Sequence, residues 1–142
     1  MVHYVIDASV GVEYLLRTRL GEAVTELAES SRLAAPEVFD LEVLSAFRGL
    51  VLRGELSLED ALIAIGVLTD WSVERISHRD TLFATWQHYH NVSTYDAVYL
   101  AVAQNLGAEV LTADSKLTRA PKIDVLVHDV HNFDILAKLE TQ

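Results

Sequence analysis

The sequence predicts an α/β fold in which a mainly parallel central sheet is flanked by helices. Short apolar runs alternate with helical patterns along all 142 residues, and 51% of the residues are apolar, which is enough to build a buried core. The two prolines, Pro36 and Pro121, lie in short connections, and no repeat or linker interrupts the chain. We therefore expect residues 1–142 to form one domain.

The first half of the chain carries start and stop signals for helices. Proline is tolerated in the first turn of a helix, and glycine is favoured just past the last turn. The predicted elements are a strand over residues 3–6, helices over 10–16 and 22–28 separated by Gly21, a strand over 33–35, and a helix that begins at Pro36, ends near Arg53 and is closed by Gly54.

In the second half, a serine followed three residues later by an aspartate marks three helix starts, at Ser57, Ser77 and Ser93. In this arrangement the two side chains satisfy free N–H groups of the first turn. The predicted elements are a helix from residue 57, a strand over 71–76, helices over 81–89 and 97–105, strands over 110–112 and 125–127, and a terminal helix over 133–139.

Composition narrows the function classes. Eleven Lys and Arg against 21 Asp and Glu give a net charge of −10, which argues against a nucleic-acid partner because such proteins usually carry a basic footprint. The absence of cysteine excludes disulfides, thiolate metal sites and cysteine nucleophiles, and it suits a cytoplasmic location. No targeting signal and no apolar stretch of membrane-spanning length is present.

Asp7 and Asp114 each follow an apolar strand run. If both strands are central and parallel, their carboxylates emerge at the same edge of the sheet, where sites in such folds form. Aspartate is also a common turn residue after a strand, and this explains either residue alone equally well.

Glu42 and Asp96 lie on predicted helices. The residues three and four positions from Glu42 are mostly apolar or small, which directs Glu42 inward or into a cleft; the alternative is a glutamate at the edge of a buried face with its carboxylate in water. Asp96 begins the apolar stripe of its helix, but its capping pair with Ser93 accounts for it equally well.

Carboxylates that converge need a counter-charge. Two of them ~4 Å apart repel by about 4 kcal/mol at an effective dielectric near 20. A divalent cation removes this cost, and oxygen-only ligands favour magnesium or manganese. Such a site positions a phosphate, activates a water and neutralises the leaving oxygen. An acidic cluster of this kind therefore predicts phosphodiester hydrolysis.

Four segments resemble the motifs of PIN-domain nucleases, in the family's order. They are VIDASV at residues 5–10, PEVFDLEV at 36–43, STYDAVYLA at 93–101, which is the most specific, and LTADSKL at 111–117. Within that family, the size and motif style resemble the VapC toxins of bacterial toxin–antitoxin pairs.

The resemblance implies a three-layer Rossmann-like sheet and a magnesium- or manganese-dependent endoribonuclease. It also implies a homodimer and a cognate antitoxin protein as partner. By the same resemblance Asp7, Glu42, Asp96 and Asp114 surround the metal, and the Thr112 hydroxyl helps to hold water. We expect RNA hydrolysis by a metal-activated water that leaves a 5′-phosphate and a 3′-hydroxyl. The alternative is a non-catalytic PIN-like binding module.

Other side chains carry weaker signals. Two basic groups follow the acids and could contact phosphates or be ordinary surface charge: Arg48 and Arg53, then Lys116, Arg119 and Lys122. Phe83, Trp86 and Tyr89 repeat at helical spacing, which favours core packing over base stacking. Surplus apolar residues could form a dimer face or an antitoxin groove: Leu15, Leu16, Leu50, Val51 and Leu52.

Overall fold

A computed structural model describes residues 4–118 and 125–131, and within them five strands form one parallel sheet. The strands are β1 (Tyr4–Ile6), β2 (Leu33–Pro36), β3 (Glu74–Ile76), β4 (Glu109–Thr112) and β5 (Val127–Asp129). Their order across the sheet is β3-β2-β1-β4-β5, so β1 lies at the centre, between β2 and β4. This confirms the predicted α/β fold with a mainly parallel sheet.

Helices connect the strands and pack in two groups. The helices are α1 (Ala8–Leu15), α2 (Arg19–Ser30), α3 (Val38–Leu52), α4 (Leu58–Asp70), α5 (Leu82–Trp86), α6 (Thr94–Leu106) and α7 (Ser115–Thr118). In the first group α1 packs against α2, α3 and α4, and α3 packs against α4; α5, α6 and a short 3₁₀ helix over His78–Thr81 form the second group. Parallel strands with right-handed crossovers place such groups on opposite faces of the sheet, which gives three layers.

The core is centred on β1, β2, β4 and α6. All residues of β1 and β2 are buried, and so are seven consecutive residues of α6, from Ala97 to Ala103. A helix buried on every side needs apolar residues all round, which explains why the usual polar face is missing from this segment. Among the described residues, no helix combines the length and apolarity that crossing a membrane requires.

Several local predictions are confirmed. The Ser57 hydroxyl accepts a hydrogen bond from the Asp60 backbone N–H at 3.0 Å, and the Ser93 hydroxyl accepts one from the Asp96 N–H at 3.2 Å. Gly54 and Gly107 follow α3 and α6 with φ of 75° and 63°, the left-handed conformation that ends helices and suits glycine.

Other boundaries differ from the predictions. The break between α1 and α2 lies at Arg17, with φ of 54°, and at the capping residue Thr18, not at Gly21. Gly21 lies inside α2, where an added Cβ would approach the Glu13 carbonyl oxygen to 2.0 Å, so glycine permits close helix packing. Pro36 ends β2 instead of opening α3.

The region after β3 also differs. The Ser77 hydroxyl accepts from the Arg79 N–H at 3.4 Å and starts a 3₁₀ turn, so α5 is shorter than the predicted helix over 81–89. The last described strand begins at Val127, two residues after its predicted start. The terminal helix predicted over 133–139 lies outside the described residues.

Candidate active site

The direction of the strand order reverses between β1 and β4. The connections from β1 lead one way across the sheet and those into β4 lead the other way, which leaves a crevice beyond the carboxyl ends of these two strands. Asp7 follows β1 and Asp114 follows β4. The Asp7 backbone N–H donates to the Leu111 carbonyl at 3.2 Å, so the two strand ends are joined at this crevice.

Asp7 is the most buried of the four acids, with 8% of its surface exposed. Its Oδ1 accepts hydrogen bonds from the Ser9 hydroxyl at 2.5 Å and from the Val10 N–H at 3.2 Å, and its Oδ2 accepts one from the Thr112 hydroxyl. Burial nevertheless raises the pKa of Asp7, and the nearby charge of Asp114 adds to that rise. An ionised Asp7 is therefore held at a cost in the folded chain.

Two hydroxyls connect Asp7 to the loop that carries Asp114. Thr112 is fully buried, and its Oγ1 accepts from the Asp114 N–H at 2.9 Å while donating to Asp7. Ser9 Oγ accepts from the Ala113 N–H at 2.8 Å while donating to Asp7. From the sequence we expect the Thr112 hydroxyl to hold water, and we expect no role for Ser9. The signal that could have identified Ser9 is a hydroxyl two residues after a strand-end aspartate.

Glu42 reaches the site from α3. It is half-buried, beside the buried row formed by Phe39, Val43 and Phe47, and its Oε1 accepts a hydrogen bond from the Tyr99 hydroxyl at 2.6 Å. Burial raises the pKa of Glu42; the Tyr99 hydrogen bond opposes this rise, and the charges of Asp96 and Asp7 add to it. Tyr99 had no predicted role because it looks like one more residue of the apolar α6 stripe.

Asp96 lies in the first turn of α6 and is partly buried. Its backbone N–H is capped by Ser93, so the capping interpretation holds for the main chain. Its carboxylate is close enough to Glu42 and Tyr99 to raise both pKa values, although burial is the larger cause in each case. Asp114 likewise raises the pKa of Asp7. The four acids are thus linked in three pairs, Asp114 with Asp7, Asp7 with Glu42, and Glu42 with Asp96.

The four acids offer carboxylate oxygens, which is the ligand chemistry that suits a hard divalent cation. In the described ranges, no Lys, Arg or His forms an ion pair with any of the four carboxylates, and neighbouring acids add to the raised pKa of Asp7 and of Glu42. Carboxylate oxygens without a cationic partner are the ligands that such ions take. In their present rotamers, no three Asp, Glu or His side chains of residues 4–118 and 125–131 converge on one point.

The expected basic rim has limited support. Arg53 lies roughly 16 Å along α3 from Glu42 and pairs with Glu55 at 3.4 Å, which places it outside the cleft. Arg48 and Lys116 are exposed, and the Lys116 backbone N–H donates to Asp114 Oδ1 at 2.9 Å. Arg119 and Lys122 lie outside the described residues.

An exposed aromatic face lies on α5, on the turn that follows it and at the start of α6. We define the aromatic face as Leu82, Phe83, Trp86, Tyr89 and Tyr95, each at least 57% exposed. It borders a groove of about 430 Å³, and the rings of Trp86 and Tyr89 stack with centroids 5.2 Å apart. The predicted core role of Phe83, Trp86 and Tyr89 is therefore wrong, because all three side chains are strongly exposed.

Comparison with known proteins agrees with this geometry. The family model described as "PIN domain" matches residues 4–123. The chain therefore belongs to the PIN-domain family.

Individual relatives narrow the group. The chain is 39% identical over 119 residues to Ribonuclease VapC1 of Mycobacterium tuberculosis, a match that covers 82% of this chain and 90% of that protein. It is 30% identical over 116 residues to Ribonuclease VapC12 of the same organism, with the same coverage of both chains. Within the PIN-domain family, the chain belongs to the group named VapC.

A solved structure supports the fold. The crystal structure of PAE2754 from Pyrobaculum aerophilum superposes with a TM-score of 0.70 at 20% identity, covering 99% of this chain and 91% of that one. At this identity the likeness concerns the fold.

Proposed function

We propose that this protein is a metal-dependent endoribonuclease, the toxin of a type II toxin–antitoxin pair. The observation that carries the proposal is the electrostatic coupling of Asp7, Glu42, Asp96 and Asp114 beyond the β1 and β4 strand ends. The relatives named as ribonucleases support RNA as the substrate. Magnesium or manganese is the proposed ion, because all the available donors are carboxylate oxygens.

The chain's own residues have separate tasks in this proposal. Asp7, Asp96 and Asp114 would hold one or two ions, with Glu42 completing the site directly or through a water. A bound divalent ion lowers the pKa of water and neutralises charge on a phosphate. Ser9 and Thr112 orient Asp7 through their hydroxyls. Attack by water leaves a 5′-phosphate and a 3′-hydroxyl.

The proposed antitoxin partner fits a second apolar surface. We define the α4 face as Leu58, Leu62, Ile63 and Val67, which are 41% to 66% exposed and form two i,i+4 pairs on the part of α4 that turns away from its buried residues. An amphipathic helix of the antitoxin would bury this face. The residues that the sequence suggests for this purpose are less suitable: Leu15, Leu16, Leu50, Val51 and Leu52. Leu15 is buried, and of these five only Leu52 is strongly exposed.

The proposed homodimer uses the aromatic face. Phe83 is 91% exposed and Trp86 is 67% exposed, which is unusual for large apolar side chains on a monomer surface. Aromatic residues are enriched at interfaces because they bury much area with few rotatable bonds. A dimer of this kind in the cytoplasm, without membrane attachment, is the state in which we expect the enzyme to act.

The test is cleavage of total RNA by purified protein with magnesium, with manganese and with chelator, followed by mapping of the new ends. We expect cuts with 5′-phosphates that require the added ion. Asp96→Asn should abolish them, and Asp60→Asn is the matched control, because Asp60 also lies three residues after a capping serine but on α4.

Three results would count against the proposal. Products ending in a 2′,3′-cyclic phosphate would show attack by the RNA itself. Undiminished cleavage in chelator would show that the reaction needs no divalent ion. RNA binding without cleavage under any ion would favour the non-catalytic module.

A further inference from the structure

Tyr99 occupies an unusual place for a core aromatic residue. Only 2% of its surface is exposed, yet its hydroxyl donates to Glu42 Oε1 at 2.6 Å, across 57 residues of sequence. It lies three residues after Asp96 on α6, so the two side chains share one helix face. The Tyr99 hydroxyl therefore connects α6, which also carries Asp96, to Glu42 on α3.

We propose that Tyr99 is a positioning residue, which holds Oε1 of Glu42 so that Oε2 is the oxygen presented to the divalent ion. The inference rests on the function proposed above. It adds a residue that never contacts the ion or the RNA and acts only through Glu42.

The physical argument begins with the freedom of Glu42. A glutamate side chain has several rotatable bonds and loses much conformational entropy when a ligand fixes it. The side chain of Glu42 is half-buried and lies at the cleft edge, so it is not fixed by core packing. A hydrogen bond from Tyr99 orders the carboxylate before the ion arrives, so less conformational entropy is lost when the ion binds.

The surroundings of the phenol support a role in the site rather than in packing alone. A phenylalanine would fill the same core volume without a polar group. A tyrosine adds a hydroxyl, which needs a hydrogen-bond acceptor when it is buried. The acceptor here is one of the four acids. Tyr99 donates this hydrogen bond from a position three residues after Asp96, so the hydroxyl contacts one acid and shares a helix face with another. Partners of metal ligands commonly act in this way.

The experiment is calorimetric titration of Mn²⁺ into wild type and Tyr99→Phe, with cleavage measured over a range of Mn²⁺ concentrations. We expect about 10-fold weaker Mn²⁺ binding, within the range usual for such partners. Cleavage should recover at saturating Mn²⁺, because the ligands themselves remain. Tyr14→Phe is the matched control: Tyr14 stacks on Trp71 with centroids 4.2 Å apart and should bind Mn²⁺ as wild type does.

A double-mutant cycle with Glu42→Ala separates positioning from general loosening of the core. Because Tyr99 acts through Glu42, Tyr99→Phe should have no further effect on Mn²⁺ binding once Glu42 is removed. An equal loss in both backgrounds would overturn the inference, and so would wild-type Mn²⁺ affinity in Tyr99→Phe. Wild-type protein that binds no Mn²⁺ would defeat the proposed function itself, a result visible before any variant is made.

Discussion

Thr112 donates its hydroxyl hydrogen to Asp7 and, through the same oxygen, accepts the backbone N–H of Asp114. One fully buried side chain thus fixes the relative position of two acids that are 107 residues apart, from Asp7 to Asp114. A hydroxyl is needed for this, because only a group that both donates and accepts can connect a carboxylate to an N–H group.

Thr112→Val tests this connection. Valine has a similar shape but leaves both the Asp7 carboxylate and the Asp114 N–H without their shared partner. We expect a loss of about 1–3 kcal/mol in the free energy of unfolding. Cleavage should fall by about 10- to 100-fold, as for other partners of metal ligands. Urea unfolding and initial rates on a short RNA measure the two effects.

Thr85→Val is the control for that variant. Thr85 is only 6% exposed, and its hydroxyl has no hydrogen-bond partner among the described residues. Removing an unsatisfied buried hydroxyl should leave stability unchanged or raise it by about 1 kcal/mol. If Thr112→Val were as harmless as Thr85→Val, Thr112 would not hold the two acids together.

Asp7→Asn should abolish cleavage and, in chelator, remove a loss of stability that the wild type undergoes as the pH rises. The folded state raises the pKa of Asp7, so it favours the protonated carboxyl. The contribution of Asp7 to stability is therefore greatest below the unfolded value of 3.8 and is lost as the pH rises through the raised pKa of the folded state. Asparagine cannot ionise, which removes this loss.

Thermal unfolding between pH 4 and pH 8 in chelator measures the effect. The wild-type midpoint should fall relative to that of Asp7→Asn as the pH rises. Added Mg²⁺ should raise the wild-type midpoint more than that of the variant, because an ion that binds only the folded state stabilises it. Parallel pH curves for the two proteins would contradict the assignment of buried charge to Asp7.

The features that sequence reasoning reached are those encoded locally. The serine caps of α4 and α6 and the glycines after α3 and α6 depend on residues a few positions apart. The strand-end positions of Asp7 and Asp114 follow from apolar runs and from the rule for parallel sheets. That the four acids form the metal site stays a prediction, supported by their electrostatic coupling.

The features that the sequence does not reveal depend on long-range packing. Nothing near Glu42 in sequence indicates Tyr99, and the contacts of Ser9 with the β4 loop cross more than 100 residues. Phe83 and Trp86 repeat at the spacing of a core stripe, but periodicity identifies one side of a helix without saying whether that side faces the sheet. Here it faces solvent.

Arg75→Met should destabilise the fold without acting on the site. The Arg75 guanidinium pairs with Asp40 at 2.9 Å and donates to the carbonyls of Leu68, Trp71 and Val73, which connects the end of α4 to α3. Losing a part-buried charged donor with these acceptors costs about 2–4 kcal/mol. Chemical denaturation measures the loss.

The exposed pair of Arg53 and Glu55 provides the comparison. Its side chains are 60% and 57% exposed, so Arg53→Met should change stability by less than about 1 kcal/mol. Mn²⁺ affinity of folded Arg75→Met should stay at the wild-type value, because the guanidinium contacts none of the four acids. Equal losses of stability in the two variants would show that the Arg75 contacts are not maintained in solution.

The two apolar surfaces should separate by mutation. Trp86→Asp places a charge on the aromatic face, where burial against a second copy would leave it unpaired, so the protein should become monomeric. Ile63→Asp should leave the dimer intact and prevent capture by the antitoxin, because it changes only the α4 face. Light scattering after gel filtration reports the oligomeric state, and calorimetry with the purified antitoxin reports the second interaction. If Ile63→Asp broke the dimer and Trp86→Asp blocked the antitoxin, the assignment of the two surfaces would be reversed.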